Sequence, residues 1–249
     1  MKLFLLCLAA GLLAQLIDGT LGMAYGVSCN SLLRTMGIPS AMASASVHFA
    51  EMFTTLASGI SHFRLKNIGK TLFLRLLIPG IIGGALGAYV LSNLYNEKFD
   101  PLIDLYLIIM GVVIIIKAFR KSKATRDPGM YVYPLGFIGG FLDAVGGGGW
   151  GPVVTSTLVA SGHDVKKTIG SVNAAEFFVT IAESAAFTLA LRASFLENIY
   201  SVLGLIVGGV IASPFAAILC KKLPAKPLMI VVGLLIVGLN SYSFVTYFI

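Results

Sequence analysis

Asp143-Ala-Val-Gly-Gly-Gly-Gly-Trp-Gly-Pro152 interrupts an apolar stretch that covers 131–161. Four consecutive glycines, a fifth and a proline do not continue a helix cheaply: Gly costs about 1 kcal/mol and Pro about 3. Lipid offers no hydrogen bonds, so unpaired backbone at membrane depth survives only where it is buried in protein or lines a cavity. The stretch therefore reads as a broken segment whose halves, roughly a dozen residues each, fall short of the ~20 a span needs. A new helix is expected near Pro152, because proline suits a first turn. Its free N–H groups and positive dipole end favour an anion. Close packing through small residues is the competing reading, but four glycines in a row exceed what packing needs.

The stretch has a counterpart. Shifted by 125 positions, Asp18 meets Asp143, Gly22 meets Gly147 and Gly26 meets Gly151. The register continues without a gap through Ser31/Ser156, Leu33/Leu158, Gly37/Gly162, Ser46-Val47/Ser171-Val172 and Ala50-Glu51/Ala175-Glu176. It ends with Phe53/Phe178, Thr55/Thr180 and Ala57/Ala182, and Gly83-Gly84 meets Gly208-Gly209 further on. Unrelated apolar segments share Leu, Ala and Gly by chance; they rarely share an Asp, a Glu and glycines in register. The chain thus divides into a first repeat (1–119), a basic linker (120–130) and a second repeat (131–249). The first-half break, Asp18-Gly-Thr-Leu-Gly-Met-Ala-Tyr-Gly26 within 3–34, is poorer in glycine than the second.

Only 12% of the 249 residues are charged and 57% are apolar, against about a quarter charged in a soluble domain. Such a chain cannot cover its surface with polar groups, so its solvent is the bilayer. The apolar runs are 3–17, 44–60, 72–91, 102–116, 174–191, 196–219 and 228–248. The fold class is all-α integral membrane. The net charge of +7 does not indicate nucleic acid, because the basic residues lie mostly in connectors, where they set orientation. If the broken segment of each half dips in and returns on one side, fourteen of the 18 Lys and Arg fall inside: Arg64, Lys66, Lys70, Arg75; Lys117, Arg120, Lys121, Lys123, Arg126; Lys166, Lys167; Lys221, Lys222, Lys226. Lys2, Arg34, Lys98 and Arg192 stay outside. Simple crossings give a poorer split. A model in which only the second half's segment returns does as well, so the first segment is treated like its counterpart by symmetry. The halves then run in opposite directions. Two inverted-topology repeats, each a re-entrant segment followed by three transmembrane helices, are a secondary-transporter architecture with the site near the midplane.

After each broken segment comes a helix with one polar face: His48, Glu51, Thr55 and Ser58 in the first half, Asn173, Glu176, Thr180 and Glu183 in the second. Charged groups in lipid are costly and face a bundle interior or a water-filled path. Glu51 and Glu176 read either as proton carriers or as braces for the neighbouring loop. For Asp18 and Asp143 bracing is preferred, since Asp bonds nearby backbone in turns. The candidate substrate-binding residues are Gly22, Tyr25, Gly26, His48, Gly146, Gly147, Gly148, Gly149, Trp150 and Asn173. Weaker pathway candidates are Ser28, Asn30, Ser31, Thr155, Ser156 and Thr157, whose hydroxyls often bond their own helix. His62 reads as interfacial and His163 as a loop residue. Cys7, Cys29 and Cys220 show no metal-ligand spacing and read as apolar fillers. Lys2 and the following leucines imitate a secretory signal, but no small-x-small site closes the run before Asp18 and the repeat supplies a counterpart, so the segment is expected to be retained.

Gly139-Gly-Phe-Leu-Asp-Ala-Val-Gly-Gly-Gly-Gly-Trp-Gly-Pro152, with Gly170-Ser-Val-Asn-Ala-Ala-Glu176 after it, resembles the TauE/SafE (sulfite exporter) transporter family. Ser46-Val-His-Phe-Ala-Glu51 and Gly59-Ile-Ser-His-Phe-Arg64 are similar to one bacterial branch of it. The resemblance covers nearly the whole chain. It implies transport of small sulfur-containing anions such as sulfite, sulfoacetate or other organosulfonates, a bacterial or archaeal plasma membrane, and no cofactor; a homodimer is the assembly considered. It places the family's signature loops on Gly22–Gly26 and Gly146–Pro152. The alternative is a cation, proton or metal transporter using Asp18, Glu51, Asp143 and Glu176. No metal ligands are assigned. An intramembrane aspartyl protease built on Asp18 and Asp143 lacks its GxGD motif, since Gln15-Leu-Ile and Gly140-Phe-Leu precede the two aspartates. There is no GxxxxGK[ST] loop for ATP.

Overall fold

The computed structural model describes residues 2–94, 97–119, 129–192, 194, 198–219 and 225–249. Those residues form helices joined by short turns and breaks, with no strand among them. The helices are α1 (Lys2–Leu21), α2 (Tyr25–Thr35), α3 (Ser40–Arg64), α4 (Lys70–Leu94), α5 (Asp100–Ala118), α6 (Val132–Gly146), α7 (Ser156–Ala160), α8 (Val165–Leu191), α9 (Ile199–Leu219) and α10 (Ala225–Tyr247). A wide helical turn, Trp150–Thr155, leads into α7. Most of the basic linker, 120–128, together with Cys220, Lys221 and Lys222, lies outside the described residues.

Six helices, α1, α4, α5, α8, α9 and, from Met229, α10, are long and apolar enough to cross a membrane. Helix α3 has 25 residues, about 37 Å at 1.5 Å per residue; its polar face keeps it below the same standard of hydropathy. Leucines, isoleucines and aromatics are exposed around the bundle, Ile78 at 63% and Leu189 at 83% among them. That surface suits a hydrocarbon solvent.

One expectation fails on length. Helix α1 has 20 residues, about 30 Å, and is no half-helix of a dozen. It begins at Lys2 and runs past Asp18 through Gly19, Thr20 and Leu21, because the chain turns only at Gly22 (φ 70°). Helix α6 has 15 residues and is the shorter of the two. The new helices start at Tyr25 and Trp150, the second of them two residues before the expected Pro152.

The packing partners are unchanged when the halves are exchanged. Helix α1 lies along α9, as α6 lies along α4; α3 packs on α9, as α8 packs on α4. The self-related pairs α3·α8 and α5·α10 close the bundle. Small residues allow the tightest approaches. A Cβ on Gly83 would run into the Phe137 carbonyl, and one on Gly208 into the Leu8 carbonyl. These are equivalent positions in the two halves.

Candidate functional site

The breaks occupy equivalent positions, 22–24 and 147–149, and they touch. A Cβ on Gly22 would lie 3.0 Å from the Thr155 side chain, and one on Gly147 would enter the Asn30 amide. A Cβ on Gly26 would lie 2.8 Å from Gly148 Cα, and one on Gly151 would enter Met23. Each pair maps onto the other under the 125-residue shift, so the two starts of new helices abut across a local two-fold relation. Asn30 Nδ2 donates to the Gly146 carbonyl at 2.9 Å, and Ser44 Oγ to Ala144 at 2.7 Å. These bonds satisfy carbonyls that the helix end leaves unpaired.

The loops were expected to line a cavity with free amides. Instead they pack on each other, and the chain's own aspartates hold the amides. Asp143 Oδ1 accepts from Gly149 N–H at 2.6 Å and from Trp150 N–H at 2.9 Å. Asp18 accepts from the N–H of Tyr25, the residue equivalent to Trp150. The other oxygen, Asp143 Oδ2, is buried and has no hydrogen-bond partner. Asp18 and Asp143 thus each face their own loop and form no shared-proton pair of the kind a protease needs.

Glycine permits the second loop its shape: Gly147 has φ 67° and Gly148 φ 145°. The first loop is poorer in glycine and carries Ala24 at φ 101°, a conformation that costs a residue with a Cβ about 1–2 kcal/mol. The rings of Tyr25 and Trp150 point away from the meeting point. The Tyr25 hydroxyl donates to Leu205 at 3.1 Å, and the Trp150 indole N–H donates to Val172 at 3.2 Å. They anchor the loops, and only their backbone faces the break.

The polar faces of α3 and α8 cross beside the breaks, fully buried. His48 Nδ1 is 2.8 Å from Glu51 Oε2 and 3.3 Å from Glu183 Oε2; its Nε2 lies 3.2 Å from the Asp143 carbonyl. Ser58 Oγ donates to Asn173 Oδ1 at 2.8 Å. Thr55 bonds the Glu51 carbonyl. Glu176 is 5% exposed and makes no hydrogen bond among the described residues. Tyr106, from α5, donates to the Gly148 carbonyl at 3.4 Å.

No metal ligands were assigned; His48, Glu51 and Asp143 each offer an atom of a ligating type, all within 4.8 Å of one another. They come from α3 and α6, far apart in sequence, so no spacing rule announces them. His62, read as interfacial, is fully buried: its ring bonds the Gly19 carbonyl near the end of α1 at 3.2 Å and the Asn67 amide in the turn after α3 at 3.1 Å. His163 does lie in the turn before α8, where the Tyr131 hydroxyl meets its Nε2 at 2.6 Å. Arg34, counted as a connector charge, is buried and paired with Asp104 at 2.5 Å and Asp100 at 3.4 Å. Glu183 stood in the polar stripe but not among the chosen site residues. Its signal was the position it shares with Ser58, where a carboxylate replaces a hydroxyl.

The family described as "Sulfite exporter TauE/SafE" matches residues 7–242. The "Probable membrane transporter protein YtnM" of Bacillus subtilis (strain 168) is 40% identical over 257 residues, an alignment covering 100% of this chain and 85% of that protein. With membrane-length apolar helices around buried helix breaks, these likenesses exclude an enzyme. The chain belongs to the TauE/SafE family and is a multi-pass membrane transporter.

Proposed function

We propose that the chain is a secondary transporter of small sulfur-containing anions in the plasma membrane, built from two inverted repeats and coupled to protons. The observation that carries this reading is the abutment of two helix starts at Gly26 and Gly148. Two positive helix ends converging on one buried point make an anion site. At present Asp143 and Asp18 occupy those amides. A sulfite or sulfonate group offers the same acceptor oxygens and takes the place of one carboxylate when it binds. Tyr25, Gly26, Gly149 and Trp150 then contribute backbone N–H groups, while Gly22, Gly146, Gly147 and Gly148 keep the approach free of side chains. Asn173 and His48 flank the site on α8 and α3.

Asp18, Glu51, Asp143, Glu176 and Glu183 cluster here with one imidazole. So many buried negative charges cannot coexist with a bound anion in low dielectric. Glu176, which lacks a hydrogen bond, carries the coupling proton in this reading. The inverted orientation rests on the excess of Lys and Arg that it gathers on one side. Counterflow in liposomes with a panel of radiolabelled sulfur anions, with and without a pH gradient, tests the proposal. Saturable exchange accelerated by an inward proton gradient supports it; no exchange of any sulfur anion removes it.

A second reading has one observation in its favour. His48, Glu51 and Asp143 have the reach and ligand types to hold a cation as cargo or coupling ion. Binding of sodium or a divalent metal, with none of sulfite, would select it.

A further inference from the structure

A lateral groove of about 880 Å³ runs between the end of α3, the start of α4 and α8. Its walls are apolar: Ile60, Phe63, Phe73 and Phe178 line it, and Phe63 is 73% exposed. Its rim carries Arg64, Lys66 and Lys70, all exposed. Among the described residues no carboxylate lines the groove, and none of the three cations has an ion-pair partner. The turn from α3 to α4 sets their positions: Lys66 adopts φ 56° and Asn67 N–H bonds the His62 carbonyl at 2.9 Å. Thr55 marks the deep end. From Arg64 to Thr55 is nine residues of helix, about 14 Å, which matches the ~15 Å hydrocarbon depth of one leaflet.

We propose that this groove is a binding site for an anionic phospholipid, with the phosphodiester on Arg64, Lys66 and Lys70 and an acyl chain against Ile60, Phe63, Phe73 and Phe178. Cations at one end and uncharged apolar walls along the rest match one amphiphile of that chemistry. A zwitterionic lipid leaves the rim charge unbalanced, and a soluble anion leaves the walls uncovered. The site does not depend on what the transporter carries. A lipid there touches both helices that bear the polar stripes, because the groove reaches Thr55 on α3 and Ala174 on α8.

The test is lipid retention. The full chain is reconstituted in vesicles of equal phosphatidylglycerol and phosphatidylcholine, extracted gently and examined by native mass spectrometry. The expected result is retention of phosphatidylglycerol over phosphatidylcholine by about tenfold or more, lost in the Arg64→Gln/Lys66→Gln/Lys70→Gln variant and kept in Lys166→Gln/Lys167→Gln. Ile60→Trp, which fills the groove and leaves the charges, is expected to reduce retention of both lipids, and it decides the matter if the triple variant does not fold. Unchanged retention in either groove variant overturns the site. Equal retention of the two lipids does so too, as does disulfide crosslinking of Phe63→Cys chains in the vesicles, which would put a second copy over the groove.

Discussion

His48 Nδ1 lies 3.3 Å from the Glu183 carboxylate, and the same crossing in the other half pairs Asn173 with Ser58 at 2.8 Å. The shift of 125 positions carries His48 to Asn173 and Ser58 to Glu183. One contact between α3 and α8 is therefore built twice, once from ionisable groups and once from neutral ones. His48→Asn leaves Glu51 and Glu183 buried without their imidazole, and should cost about 3–5 kcal/mol. Ser58→Ala removes a neutral bond and should cost about 1 kcal/mol. Thermal unfolding in detergent checks both. The double variant His48→Asn/Glu183→Ser copies the neutral crossing and should recover at least half of the larger loss.

Asp143 caps the second break by accepting from two amides. Asp143→Ala leaves both without that partner and should cost about 1–3 kcal/mol in the same melts. Asp143→Asn keeps an acceptor oxygen and should cost less. If substrate displaces this carboxylate, Asp143→Asn also lowers the KM for counterflow, because a neutral cap competes less well for the amides.

Backbone conformation separates three small residues. Gly148→Ala drives a methyl group into the Val27 backbone at φ 145°, so folded yield and transport should both be lost; Gly148→Val should do the same. Gly37 also has a positive φ of 84°, but nothing lies within 4 Å of its Cβ position. Gly37→Ala should cost about 1 kcal/mol of strain and leave transport intact. Ala24→Gly relieves a φ of 101° and should stabilise by about 1 kcal/mol. Melting temperatures order the three.

Glu176→Gln should insert and fold like the parent, since its side chain makes no hydrogen bond among the described residues. Counterflow in that variant should fall about tenfold or more and lose its response to a pH gradient. Parental flux with an unchanged response removes Glu176 from coupling.

Much of this arrangement was legible in the sequence because polar groups stand out against an apolar background. The 125-residue repeat located both breaks, and the His48/Glu51 and Asn173/Glu176 spacings located the buried faces of α3 and α8. What escaped depends on approach in three dimensions. No spacing shows that the Tyr25 and Trp150 rings turn away from the break, since that follows from where Leu205 and Val172 present their carbonyls. His62 looks interfacial beside Arg64, and only the approach of Gly19 from α1 and of Asn67 from the following turn shows its burial. The nearness of Glu183 to His48 needs the crossing angle of two helices. Asp143 could be read as a brace from the loop after it, but the competition between that brace and a substrate anion required the hydrogen bonds themselves.

The central claim is that the abutting helix starts bind an anion, and Trp150 reports on that point through its backbone: its indole is anchored at Val172, so a loop that shifts on binding changes the ring's surroundings. It is the only tryptophan in the chain, and its backbone N–H belongs to the break. The deciding measurement is titration of intrinsic fluorescence in detergent with sulfite, organosulfonates, sodium and divalent metals. The account predicts a saturable change with sulfur anions, reached at lower concentration in Asp143→Asn, whose neutral cap competes less well for the amides. Saturation by a cation alone, with no response to any sulfur anion, contradicts it.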